Sequence, residues 1–164
     1  MKIELKNIKH SEFASQETNC YQATIYINGK KVGTVENGGY GGCDNVHPYE
    51  VANQIDEYAK TLPKIVCDWI DRETGKPAEM TQTHETIFSD ILNYWLVSKD
   101  LKRIMSKRIV YQKGDDKAIY QTRTMSPAEK EKLLANEDYT KERKIFNLMP
   151  FDQAVQLFKA SANI

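Results

Sequence analysis

Long apolar runs are missing from this chain of 164 residues; no stretch approaches the length a membrane-crossing helix needs, so a helical membrane protein is excluded. Cysteine is scarce. Cys20, Cys43 and Cys67 make an odd count without the paired spacing of a disulfide scaffold, and a reducing compartment is their simplest home. Net charge is lacking as well, because 23 basic residues balance 23 acidic ones. No global field therefore pulls the protein toward nucleic acid or an anionic bilayer. Repeats, low-complexity tracts and linker-like segments are also absent. The chain is long enough to bury a real core and short for two domains, so a single domain over 1–164 is expected.

What is present is patterned. MKIELKNIKH alternates polar and apolar residues, which reads as a strand and not as a secretory signal. Alternation returns from Cys20 to Ile27, and Asn28-Gly29 supplies a turn that tolerates positive φ before Val32 and Val35 continue the ladder. Residues 37–47 then carry Gly38, Gly39, Gly41 and Gly42, and are expected to form a loop. From Pro48 the period becomes 3.6, with Val51, Ala52, Ile55, Tyr58, Ala59 and Leu62 on one helical face. Ile65 to Ile70 is apolar but of undefined type, and Arg72 to Gln82 reads as an exposed excursion.

Thr83 can cap a long helix near 84–107, whose stripe is expected to include Ile87, Phe88, Ile91, Tyr94, Trp95, Leu101 and Met105. Two strand-like runs flanking KGDDK suggest a second hairpin, and Ser126-Pro127-Ala128-Glu129 is the signature of a capped helix start. Residues 136–144 are too charged to bury. Ile145, Phe146 and Leu148 suggest a last strand, and Pro150 opens a final helix. The expectation is an α+β fold: a mainly antiparallel sheet built from two hairpins, packed against three to four helices.

The candidate chemistry is thin. The glycine loop lacks the spacing of a dinucleotide fingerprint, and no Gly-Lys-Ser/Thr follows it, so nucleotide-loop chemistry has no motif here. Tyr40 at its tip, with Gly39, Gly41 and Asn45, offers an aromatic anchor and backbone donors to a protein partner. Cys43, Asp44 and His47 are the alternative, either as a thiolate with its base or as ligands of a metal-dependent hydrolase or nuclease. No second short-spaced ligand pair accompanies them, so neither a metal nor any other cofactor is expected. Lys99, Lys102, Arg103 and Lys107 could form a phosphate-tracking stripe, although the helix dipole favours basic residues at that end in any case. Nucleic acid is the less favoured partner.

The run from Cys20 to Thr34, the Gly38–Asp44 loop and the start MKIELKNIKHSEFASQET resemble the small accessory proteins carried by bacteriophages and prophages. The resemblance implies a bacterial cytoplasm and a non-enzymatic module that occludes a host protein, such as a component of host defence. It carries no catalytic residue onto this chain.

Overall fold

The computed structural model describes residues 1–162. Its elements are β1 (Ile3–Ser11), β2 (Cys20–Ile27), β3 (Lys30–Asn37), β4 (Asn45–His47), α1 (Tyr49–Ala59), β5 (Ile65–Ile70), β6 (Pro77–Met80), α2 (His84–Lys107), β7 (Val110–Lys113), β8 (Tyr120–Gln121), α3 (Pro127–Leu134), α4 (Glu137–Thr140), β9 (Arg143–Ile145) and α5 (Phe151–Ala162), with a 3₁₀ turn at Phe146–Leu148. All strand pairs are antiparallel. The α+β class expected from the sequence is therefore the class observed. Among the described residues no helix is long and apolar enough to cross a membrane.

Contacts gather into two compact units, Met1–Leu92 and Asn93 onward, with the boundary falling inside α2. The first unit is built on a sheet of order β1-β2-β3-β4. Asn28 and Gly29 both take positive φ, 49° and 80°, so the two-residue turn matches the twist of β2 and β3 as their sequence requires. Alternation then drives Tyr21, Ala23, Ile25 and Ile27 to one face, where all four are buried. Val35, Val46 and the buried α1 residues Val51, Ala52, Ile55 and Ala59 join the same unit's core. Gly33 lets β4 approach closely, since a Cβ there would lie 2.5 Å from the His47 carbonyl oxygen.

Two expectations for this unit need correction. The glycine segment is irregular only between Asn37 and Asn45, because residues 45–47 pair with Thr34–Glu36 of β3. The excursion after Arg72 is half of a β5–β6 hairpin, in which Asp71 closes the turn by accepting the Glu73 and Thr74 amides. That hairpin leaves Val66, Trp69, Ile70 and Met80 exposed, which is why its alternation is not visible in the sequence.

The helix α2 has the expected bounds, and Thr83 and Thr86 exchange reciprocal side-chain-to-amide bonds at its start. Its fully buried residues are Phe88, Leu92, Val97 and Leu101. Leu92 and Val97 were not on the expected stripe, and Ile87, Ile91, Tyr94, Trp95 and Met105 are half-buried.

In the second unit, Val97, Leu101, Val110, Phe146, Ala154 and Val155 form a core, and the sheet order is β8-β7-β9. The Ser126–Glu129 capping box forms as its sequence dictates. The Ser126 amide, aided by Arg123, holds the Glu129 carboxyl down to about 2. Residues 136–144 are nowhere buried, in keeping with their charge, and within them Asn136 caps the short helix α4. The last expected strand is split, since β9 ends at Ile145 and residues 146–148 form the 3₁₀ turn.

Asn147 locks this unit together. Its amide donates to the Met105 and Arg108 carbonyls at the end of α2, while its oxygen accepts the Val110 amide at 2.9 Å. Truncation leaves the Arg108 carbonyl and the Val110 amide without this partner, while the Met105 carbonyl keeps the Lys130 ammonium at 2.8 Å. Asn147→Ala is expected to lower the opening free energy of the Val110 amide by about 2 kcal/mol. Native-state hydrogen exchange measures this, and an unchanged exchange rate would refute the locking role.

Candidate functional site

A cluster of polar groups in the first unit lies where β1–β2 and β3–β4 are joined, at the end of the sheet away from the Asn28-Gly29 turn. Two connections, residues 12–19 and 38–44, meet there. Gly39 is buried with φ of 87°, and its carbonyl accepts the amides of Gln16, Glu17 and Thr18 at 2.9, 3.0 and 3.4 Å. A Cβ on Gly39 would collide with the Ala14 carbonyl oxygen and stand 2.9 Å from Cys20 Cβ. Glycine is thus required by both dihedral and space.

Asn37, the last residue of β3, organises both connections. Its Oδ1 accepts the Thr18 hydroxyl and the Gly39 amide, each at 2.9 Å. Its Nδ2 donates to the Gly42 carbonyl at 2.9 Å and to Asp44 Oδ1 at 3.0 Å. All four bonding positions of the amide are used. Asp44 is further fixed from two directions, accepting the Tyr21 hydroxyl at 2.7 Å and donating its own amide to Glu85 Oε1 at 3.1 Å. Burial, and then the Asp44 bond, push the Tyr21 phenol well above its ordinary range, so it stays a protonated donor.

These groups line an open cleft of about 440 Å³ whose wall includes Thr18, Tyr21, Asn37, Asp44, Glu85 and Ser89. A second cleft of about 610 Å³ shares Tyr21, Asn37 and Cys43 with it and extends past Lys9, His10 and Glu36. Tyr40 stands clear of both, 69% exposed. Phe13, in the neighbouring connection, is 98% exposed.

The expected site residues fall as follows. Gly39, Tyr40 and Gly41 lie in the 38–44 loop, with Gly41 at φ 85° beside the Glu17 carboxylate. Asn45 instead belongs to β4, where its side chain donates to Glu36 Oε1 at 3.3 Å. Cys43 is exposed, and the hydrogen bond and charge of Glu85 push its thiol above the ordinary range. His47 is on β4, exposed, opposite Thr34. Asp44 is committed to Tyr21 and Asn37 rather than to His47. Among the described residues no three His, Cys, Asp or Glu side chains gather in a way that could hold a metal ion.

Lys99, Lys102, Arg103 and Lys107 are exposed on α2 in the second unit. Three of them have local partners: Lys99 lies 5.1 Å from the Trp95 ring centroid, Lys102 lies 4.9 Å from that of Phe151, and Arg103 pairs with Asp100 at 3.3 Å.

Sequence reasoning missed Phe13, Tyr21, Asn37 and Glu85. Phe13 does carry a signal, as the one aromatic in the polar run SEFASQET. The roles of Asn37 and Glu85 come from tertiary contacts across 19 and 41 positions of chain, for which no local pattern exists. No family model matches the chain, and no significant match emerges among curated proteins or solved structures.

Two outcomes follow for this site. Gly39→Ala is expected to cost about 1–3 kcal/mol in urea unfolding. Gly42→Ala, where nothing lies within 4 Å of an added Cβ, should stay within about 0.5 kcal/mol. Equal effects would show that the Gly39 conformation is not required. Separately, Cys43 should alkylate with iodoacetamide at pH 8 more slowly than an ordinary exposed thiol, because Glu85 disfavours its thiolate. Glu85→Gln should speed modification of the Cys43 peptide in mass spectrometry. No acceleration would refute the coupling.

Proposed function

We propose that this chain is a non-enzymatic binding module that docks a partner protein through the 38–44 loop and acts by covering the partner's surface. Tyr40 is the anchor. The observation that carries this reading is a large aromatic left 69% exposed on a loop whose neighbouring backbone is already fixed by Asn37 and Gly39. Such a loop loses little conformational freedom on binding, so the aromatic's burial is not offset by ordering the backbone. The exposed residues Gly41, whose amide donates to the Thr18 hydroxyl at 3.3 Å, and Asn45 of β4 flank it.

The hydrolase reading has weaker support. A cysteine nucleophile needs its thiolate stabilised, whereas Glu85 does the opposite at Cys43, and Asp44 is spent on Tyr21 and Asn37. The resemblance to bacteriophage and prophage accessory proteins makes a host protein, such as a defence component in the bacterial cytoplasm, the natural occupant.

Tagged wild-type protein, Tyr40→Ala and Cys43→Ala are each used to capture proteins from a bacterial lysate. A discrete host protein is expected with the wild type and with Cys43→Ala, and a loss of about tenfold or more with Tyr40→Ala. Retention by Tyr40→Ala, or the absence of any specific partner, would defeat the docking reading.

A further inference from the structure

We infer that the docked partner presents an arginine-bearing, basic segment, and that Phe13 and Tyr40 receive it together. This assignment rests on the docking reading above and gives its partner a chemical class. Phe13 and Tyr40 stand on different connections, yet each is one residue from a contact that joins them: Ala14 and Gly39 are so close that a Cβ on Gly39 would strike the Ala14 carbonyl. The Gly39 carbonyl also holds three successive amides of the Phe13 connection. The two aromatics therefore flank one fixed junction between the connections, 98% and 69% exposed.

The charge around them is predominantly acidic, with Lys9 on the wall of the larger cleft as the exception. Between Ser11 and Gly29, and again between Val32 and Ala59, the sequence has seven acidic residues and not one lysine or arginine. Lys30 and Lys31, which separate the two stretches, begin β3 at the opposite end of the sheet. At the aromatic end stand Glu12, Glu17, Glu36, Asp44 and Glu85, with Lys9 the nearest cation along the chain. Glu17 lies against Gly41, beside Tyr40, and Asp44 and Glu85 face the 440 Å³ cleft. Among the described residues no basic side chain lines that cleft.

An aromatic face together with a carboxylate fits a guanidinium better than any other protein side chain. The guanidinium stacks on rings and donates in a fixed fork to carboxylate oxygens. Nucleic acid is the poorer occupant, because its phosphates would meet these same carboxylates.

The test titrates ¹⁵N-labelled full-length protein with triarginine amide, triglutamate and a short oligothymidylate, following backbone amide shifts. Triarginine should produce saturable shifts confined to residues 12–18 and 38–44. Its affinity should fall about fivefold in Glu17→Gln/Glu36→Gln, and it should fall in Phe13→Ala. Shifts centred elsewhere, shifts indifferent to these substitutions, or oligothymidylate or triglutamate binding at the same amides would overturn the assignment. If Tyr40-dependent capture persists without any triarginine response, the basic-partner assignment falls while the docking reading stands. If Tyr40→Ala leaves capture intact, the docking reading falls and takes this assignment with it.

Discussion

One carboxamide determines the shape of the candidate surface. Asn37 ends β3 opposite Tyr21 and spends both acceptor and both donor positions on Thr18, Gly39, Gly42 and Asp44. A connection containing four glycines would ordinarily sample many conformations, since glycine gives up the most backbone freedom on ordering. Here the amide bonds both limbs of the loop, and Gly39 passes the constraint to the 12–19 connection through its carbonyl. A residue with only one kind of hydrogen-bonding group could not bridge a hydroxyl, an amide, a carbonyl and a carboxylate at once.

The same network is what favours the proposed docking role over the nucleophilic alternative. Thr18, Tyr21, Asn37 and Asp44 are already hydrogen-bonded to neighbours that fix their positions. Tyr21 keeps its hydrogen because it is buried against Asp44, and Cys43 keeps its own because Glu85 is beside it. Catalytic groups need a displaced pKa in the productive direction and room to exchange protons. A recognition surface asks for the reverse, fixed donors and acceptors around protruding apolar groups. In the proposed docking surface the exposed rings of Phe13 and Tyr40 would be those groups.

Local sequence carried the parts of the fold that depend on neighbours in the chain. The Asn28-Gly29 turn, the Ser126–Glu129 capping box and the bounds of α2 each follow from a few adjacent residues, and each is found in place. The parts that were not legible depend on distant partners. β4 exists because Val46 finds a buried position beside Val35, although three residues after a glycine loop have no period to read. The β5–β6 hairpin exposes apolar residues, so hydrophobic alternation misleads there. Leu92 is buried in the first unit and Val97 in the second, each by residues distant in the chain. In the site, the glycine loop and Tyr40 were visible as composition, whereas the Asn37 and Glu85 contacts were not.

The two tryptophans fall one in each compact unit, in contrasting surroundings. Trp69 lies on the β5–β6 hairpin with most of its indole in water, while Trp95 is half-buried on α2 beneath the Lys99 ammonium. Intrinsic fluorescence consequently carries two separable signals, red-shifted emission from the first unit and cation-perturbed emission from the second. Replacing either indole with phenylalanine leaves a native optical reporter for the other unit alone, without an extrinsic dye.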